Sequence, residues 1–343
     1  MAAVGRPPRA TIRDVAERAR VGIATVSRAL NDDPGVAPAT RARVLDACEA
    51  LGFRRSSLAR GLKLGATDNI GVAIMSRHAP VILNPFYAEV IGGIEEVLEG
   101  ADKHLLLSSL KRGGDLLALV NEGRVDGLLV VGCGVAHEIL EQLRSAALPV
   151  VLIDNAFEGL PSVVVDHQAA GRQAAGHLLA GGGTRFAFVA ENLDNPNFRA
   201  RLDGFRTALR EAGAHLDDGA VAAGGDSWDG GFVAMQRILG QLGTPPDAVF
   251  AANDPAAMSA AKAVLARGLR IPEDVALVGV DDIHLAAHHA PPLSTVRFDK
   301  RGLGRSGAGY LLERLAGRDV PALTVLPTEL VVRASSRSGD GPR

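Results

Sequence analysis

Apolar positions along the chain fall into two regimes. Between Thr11 and Leu51 they recur three and four residues apart: Ile12, Val15, Ala16 and Ala19 share one helical face. A second helix can start at Ile23 with Val26 and Leu30 inward, and a third carries Val44, Ala47, Cys48 and Leu51. Thr11 and Asp14 have the spacing of a capping box, in which side-chain oxygens satisfy N–H groups left open at a helix start. Arg20-Val21-Gly22 breaks the first pattern, and "NDDPG" ends the second because Pro34 and Gly35 cannot continue a helix. Pro38 suits the first turn of the third. From residue 69 short β-rich runs take over: "NIGVAIM", "KHLLLSS", "DGLLVVG", "PVVLIDN", "RFAFVAE", "DAVFAAN" and "DVALVGVDD". Helical patterns lie between them at 86–100, 136–146, 167–180, 197–212, 229–242 and 255–267. This alternation predicts an α/β architecture of parallel sheets covered on both faces. The series restarts near "RFAFVAE", which predicts two similar subdomains, roughly 69–161 and 162–290, completed by C-terminal returns.

Two short helices joined by a tight turn and braced by a third make a helix-turn-helix. The second helix, about nine residues and roughly 13 Å long, fits a major groove about 12 Å wide. A three-helix bundle without a nucleic-acid role is the alternative. Polar Thr25, Ser27 and Arg28 weigh against it, and so does charge. Residues 1–65 carry 12 Arg and Lys against 6 Asp and Glu, leaving 25 against 33 for the remainder. A basic head on an acidic body points to a polyanion partner for the head alone.

Composition narrows the classes further. A chain of 343 residues is long for one core, so two or three domains are expected. Cys48 and Cys133 are far apart and lack metal-binding spacing, so two reduced thiols are expected. "MAAVGRPPRA" has no signal-peptide core, and no run is long enough to span a membrane, so a soluble, cytoplasmic protein is expected. "GLGRSG" (302–307) formally matches G-x-G-x-x-G, but a full βαβ unit and a later acidic partner are missing. His284, His288 and His289 read as a solvated face, because no HExxH arrangement accompanies them. No nucleophile elbow, Walker loop or kinase motif is present. An enzyme, a metal and a cofactor are therefore not expected.

"TIRDVAERARVGIATVSRALN" (11–31), "TRARVLDACEALGF" (40–53) and "LARGLKLG" (58–65) strongly resemble the DNA-binding head of the lac repressor (LacI/GalR) family of bacterial transcription regulators. The resemblance implies a head over 10–55, a hinge over 56–68 and an effector-binding and dimerisation domain over 69–335. By position, Ile23 and Ala24 match the base-reading pair of the recognition helix. Thr25, Ser27 and Arg28 match its phosphate- and base-contacting residues, Asn31 its end, and Thr11 joins this DNA-facing set. Ile23 and Ala24 can sense only shape and thymine methyls, whereas Arg28 can read a guanine edge with two hydrogen bonds. Gly22 and Ala37 stand where the family usually has serine caps; Ala is the poorer cap, by about 1 kcal/mol. "SSLARGLKL" (56–64) is too short to hold a helix alone and by itself reads as a linker. The resemblance implies instead a hinge helix that folds on DNA, with Leu62 wedged into the minor groove. Ala59 is then its small neighbour, and Ser56 replaces the family's asparagine.

Polar residues close several of the strand patterns: Asp154, Asn253 with Asp254, and Asp281 with Asp282. Ligands of open α/β sheets bind beyond the carboxyl ends of strands, and such groups suit a polyhydroxylated ligand. Asp254 and Asp282 each precede a helical pattern and read instead as caps. "NPFYAEVIGGIEE", "RLDGF", "AANDPAAM", "IPEDVALVGVDD" and "PPLSTVRFD" extend the resemblance to the family's effector domain, built like periplasmic sugar-binding proteins. It implies effector contacts at Phe86, Tyr87, Asp154, Arg201, Asn253 and Asp281. Trp228 matches a stacking aromatic in a loop one residue short.

The expectation is a bacterial homodimeric regulator, a repressor, on a pseudo-palindromic double-stranded operator with half-sites about one turn apart. Its effector is a sugar or sugar phosphate, with a purine-type corepressor as the alternative. The rival from another class is an exported sugar-binding receptor, opposed by the basic head and the absent signal peptide. The tail "RASSRSGDGPR" lacks leucine heptads, so no tetramerisation helix is expected.

Overall fold

Thr11 opens helix α1 (Ile12–Ala19) with a complete capping box. Its Oγ1 accepts from the Asp14 N–H at 3.4 Å, and the Asp14 carboxylate accepts from the Thr11 N–H at 2.6 Å. The Thr11 N–H and, at 2.8 Å, the Thr11 hydroxyl both donate to that carboxylate and hold the Asp14 carboxyl below its ordinary range. Helix α2 (Ile23–Leu30) starts from Gly22 and α3 (Pro38–Ala50) from Ala37, neither with a side-chain cap. Val15, Ala16, Ala19, Val26, Ala29, Val44 and Ala47 form the core of the head, with Ile12, Leu30, Cys48 and Leu51 packed around it. The computed structural model describes residues 10–53, 67–75, 84–110 and 122–337. The hinge positions Ser56, Ala59 and Leu62 lie outside the described residues. The chain divides into two compact units, Met1–Thr67 and Asp68–Arg343.

The second unit contains two six-stranded sheets. The first joins β1 (Asn69–Met75), β2 (His104–Leu110), β3 (Gly127–Val131), β4 (Val150–Ile153), β5 (Ser162–Val165) and β11 (Leu323–Leu326), in the order β11-β5-β4-β3-β1-β2. All its pairings are parallel. The second joins β6 (Phe186–Ala190), β7 (Val221–Ala223), β8 (Ala248–Ala251), β9 (Ala276–Val280), β10 (Ser294–Arg297) and β12 (Glu329–Val331), in the order β12-β10-β9-β8-β6-β7. Only β12 runs antiparallel there, against β10. Strands β3, β4, β6, β8 and β9 are buried along their whole length, as continuous apolar runs between helical layers should be.

The expected division at residue 161 is displaced. Strand β5 hydrogen-bonds β4 and β11 in the first sheet, so the chain leaves that sheet only after Val165. It returns through α11 (Lys300–Leu315), which packs on α4 (Pro85–Glu99) and the first sheet, and crosses again between β11 and β12. Close helix contacts fix the geometry. In α6 (His167–Ala180) a Cβ on Gly171 would lie 2.0 Å from the Arg201 carbonyl oxygen of α7 (Pro196–Glu211). One on Gly204 would lie 2.1 Å from the Gln168 carbonyl oxygen. Two bare backbones therefore touch, and they carry His167 and Arg201 together. Gly304 plays the same part between α11 and α4, where its Cβ would lie 2.1 Å from the Val90 oxygen. The "GLGRSG" pattern is thus part of a helix-packing surface.

Candidate functional site

Helix α2 presents a sharply divided surface. Val26 and Ala29 are buried against the other helices, while Ile23, Ala24 and Arg28 are exposed and Thr25 and Ser27 half-buried. Ile23, 46% exposed, is an apolar side chain held in water at the first position of the helix. Asn31 is exposed at the C-cap, and Thr11 is exposed with its hydroxyl engaged in the α1 cap. None of the expected DNA-facing residues of the described head is part of its buried core.

In the larger unit, hydrogen bonds join the carboxyl ends of both sheets. Asp154 follows β4 and bonds His167 Nε2 through Oδ1 (3.0 Å). Arg201 donates from Nε to His167 Nδ1 (3.2 Å), from Nη1 to the Ala252 carbonyl, and from Nη2 to Asp281 Oδ1 (3.3 Å). Because Nδ1 accepts, the His167 proton sits on Nε2 and is donated to Asp154. Asn197 Nδ2 also donates to Asp154, at 2.8 Å to Oδ2. A second bridge runs from the Cys133 thiol to Asn195 Oδ1 (3.0 Å). Asn253 uses Oδ1 to cap α9 (Asp254–Ala266), accepting from the Ala256 N–H, and Nδ2 to reach Glu191 Oε1 at 2.9 Å. Lys300 Nζ donates to the Asp281 and Asp282 carbonyls and lies 3.5 Å from the Glu89 carboxylate.

Backbone conformation marks the same strand ends. Asp154 has φ 58° and Asp281 φ 109°, a left-handed region that disfavours side chains other than Asp and Asn. Burial shapes the charges. It pushes the Asp281 carboxyl up to about 6, against the pull of Arg201 and Lys300 and with the repulsion of Asp154 and Glu191. Desolvation lowers the His167 pKa despite Asp154, so the ring is neutral near pH 7. Burial likewise raises the Tyr87 hydroxyl and pushes the Cys133 thiol up to about 11.

The structure brings Asp154, Arg201 and Asp281 into one network and places Asn253 beside it through Glu191. Phe86 is buried, edge-on to Tyr87 with ring centroids 5.1 Å apart, and Tyr87 donates to the Met75 carbonyl at 3.1 Å. Trp228 lies in the turn between β7 and α8 (Gly230–Gln241), 43% exposed and outside the hydrogen-bonded network. The two expected caps are corrected. Asn253 takes the cap of α9, and Asp254 turns inward to accept from Thr295 Oγ1 (2.6 Å) and the Ile283 N–H (2.9 Å). Helix α10 (His284–His288) starts from Ile283 without a side-chain cap, and the Asp282 carboxylate pairs with Arg333 at 2.6 Å. Sequence reasoning passed over His167, Asn197, Glu191 and Lys300. Glu191 had a usable signal: it ends a buried strand pattern as Asp154 does.

A cavity of about 1010 Å³ opens beside the crossovers and borders the network through Lys300 and Asp282. Its arginines are matched by acids: Arg297 with Glu329 (3.0 Å), Arg305 with Asp299 (3.0 Å), Arg301 with Glu96. Of the strand-end residues it includes Asp282 but not Asp154, Glu191, Asn253 or Asp281. Among the described residues no helix is long and apolar enough to cross a membrane, and no three His, Cys, Asp or Glu side chains are grouped to hold a metal.

Residues 11–56 match "Bacterial regulatory proteins, lacI family", and residues 175–336 match "Periplasmic binding protein-like domain". The chain is 33% identical over 340 residues to the HTH-type transcriptional repressor PurR of Haemophilus influenzae (strain PittEE), covering 96% of this chain and 99% of that one. It is 35% identical over 314 residues to the ribose operon repressor of Escherichia coli (strain K12), covering 89% and 93%. The lac repressor dimer bound to operator and the anti-inducer ONPF is similar in structure, with TM-score 0.85, 27% identity, and coverage of 96% and 99%. With a helix-turn-helix head, a two-sheet periplasmic-binding-protein-like body and full-length relatives above 30% identity, the chain belongs to the lacI family of bacterial transcription regulators.

Proposed function

We propose that this regulator is a repressor that holds a pseudo-palindromic operator as a homodimer and alters its grip when a sugar-type effector enters between the two sheets. The observation that carries the effector half is the Asp154–His167–Arg201–Asp281 chain, which ties the strand ends of both sheets together. A ligand whose hydroxyls exchange with these bonds changes the contacts between the sheets directly. Carboxylates accept only, so they suit a ligand rich in O–H donors. Phe86 and Tyr87 supply apolar ring faces, and Trp228 closes over the ligand from its turn. The ribose operon repressor and the operator-bound lac repressor dimer, both similar over most of this chain, support the sugar and dimer assignments.

On DNA, Ile23 and Ala24 meet base edges, Arg28 reads a guanine, and Thr25, Ser27, Asn31 and Thr11 approach the phosphates. Ser56, Ala59 and Leu62 complete the contact at the operator centre. The protein acts in the bacterial cytoplasm.

A thermal-shift screen of free sugars beside a screen of purine bases tests the effector assignment, with Trp228 fluorescence as an independent titration. Ligand at 100 times its Kd adds about 2.7 kcal/mol to stability. Stabilisation by a sugar is the expected result; stabilisation by purines alone overturns the assignment.

A further inference from the structure

We infer that the effector site selects a ligand that brings hydrogen-bond donors and no anionic group, an unphosphorylated sugar and not its phosphate ester, and that Glu191 sets this choice. The inference rests on the sugar-type reading above. Three buried carboxylates gather at the strand ends: Asp154 after β4, Glu191 after β6 and Asp281 after β9, at 7%, 4% and 6% exposure. Asp154 and Glu191 both lie near enough to Asp281 to disfavour its charge.

Among the described residues two buried cations, Arg201 and Lys300, accompany them, and both are bonded within the protein. Lys300 has three N–H donors and three acceptors around it: the Asp281 carbonyl, the Asp282 carbonyl at 3.3 Å and the Glu89 carboxylate at 3.5 Å. Arg201 is held on three sides, by His167, Ala252 and Asp281. His167 adds no positive charge, because its Nδ1 accepts from Arg201. A phosphate dianion would meet three carboxylates and would have to pull a cation from existing bonds. A hydroxyl-rich neutral ligand can exchange its O–H donors for those the carboxylates already hold without bringing another negative charge.

Glu191 is the member whose replacement leaves the bonds of His167 and Arg201 in place. Asp154 and Asp281 are tied into the chain through Arg201 and His167, so changing either disrupts the lobes' connection. Glu191 accepts through Oε1 from Asn253 Nδ2 at 2.9 Å. It also lies against the turn that carries Trp228. The Gly225 N–H donates to the Glu191 carbonyl at 2.9 Å, and a Cβ on Gly230 would lie 3.0 Å from Glu191 Cγ. Glu191 is therefore set at the end of β6 against the two ends of the turn that carries Trp228, at Gly225 and Gly230.

The test uses the full chain and matched pairs: ribose with ribose 5-phosphate, glucose with glucose 6-phosphate, fructose with fructose 6-phosphate. Inorganic phosphate serves as the ionic control. Thermal shift and Trp228 fluorescence give the affinities. At least one free sugar should bind, and its ester should bind about 10-fold more weakly or worse, because unit-charge repulsion at about 4 Å is about fivefold even at the dielectric of water and larger in a protein interior. Glu191→Gln keeps the size and the amide contact while removing the charge, and should narrow that gap about 10-fold. An ester that binds more tightly than its sugar overturns the inference and leaves the sugar reading standing. A gap unchanged in Glu191→Gln removes Glu191 from the role. Silence from every sugar and every ester overturns the sugar reading and this inference with it. The comparison within the parent protein stands even if the variant folds poorly.

Discussion

Replacing Arg201 with Met should destabilise the larger unit strongly, and by an amount that depends on pH. The guanidinium, 3% exposed, donates to His167, the Ala252 carbonyl and Asp281, and Met retains most of its apolar stem. Losing it leaves two acceptors, His167 Nδ1 and the Ala252 oxygen, buried without their donor, at about 1–3 kcal/mol each. The Asp281 carboxylate loses its cation but can escape by taking a proton. With that carboxyl pushed up to about 6, protonation at pH 7 costs about 1.4 kcal/mol, which caps the electrostatic part of the loss. The total at pH 7 is about 2–7 kcal/mol, spanning the range for breaking a buried pair. At pH 5 Asp281 is already largely protonated in the parent, so the electrostatic part disappears and the penalty falls by about 1.4 kcal/mol. Urea unfolding at both pH values, read by Trp228 fluorescence, reports on the effector domain without interference from the head. A penalty below about 1 kcal/mol, or one identical at pH 5 and 7, refutes the coupling of Arg201 to Asp281.

Gly171→Ala should force α6 and α7 apart and cost about 1–3 kcal/mol, with loss of effector response. Gly176→Ala on the same helix meets nothing within 4 Å and should stabilise by about 0.5–1 kcal/mol, so equal effects of the two on thermal melting would contradict the packing argument. Because burial raises Asp281, folding favours its protonated form: this group's stabilisation is complete below its unfolded value of 3.8 and is lost as pH rises through about 6. Effector binding runs the other way, since the ligand's hydroxyls need the carboxylate; a free-sugar Kd should weaken about tenfold from pH 8 to pH 5, and a flat profile excludes Asp281 from the contact. Arg28→Ala should weaken operator binding by about 1–3 kcal/mol and relax choice at one base pair per half-site, whereas equal loss on random DNA would make it a phosphate contact.

What the sequence made legible follows from where each signal resides. The head was readable almost residue by residue, because capping box, apolar spacing and helix breakers are all local. Asp154 and Asp281 were readable because a charge ending a buried apolar strand is conspicuous, though their positive φ values were not. His167 and Asn197 were hidden: each begins a helix, and only the glycine-to-backbone contact of α6 with α7 and the meeting of the two sheets aim them at Asp154. Helix α11 was obscured by glycines at 302, 304, 307 and 309, which lower helix propensity; Gly304 and Gly307 are required by contacts with Val90 and Ile153. Strand β5 was misassigned because a four-residue apolar run gives no indication of which sheet it joins. Asp254 was misread because a cap and the residue after it look alike in sequence, while only the fold supplies Thr295 and Ile283 as its partners.

The central claim is that one chain reads DNA symmetrically and lets a bound sugar change that reading. Selection of bound duplexes from a random library by the full chain, followed by anisotropy titration of the enriched sequence with and without the stabilising sugar, tests both halves together. The account predicts two inverted half-sites centred about one helical turn apart, and an operator affinity shifted about 5–150-fold by the sugar. Enrichment of a single asymmetric site, or an affinity that the bound sugar leaves unchanged, would contradict it.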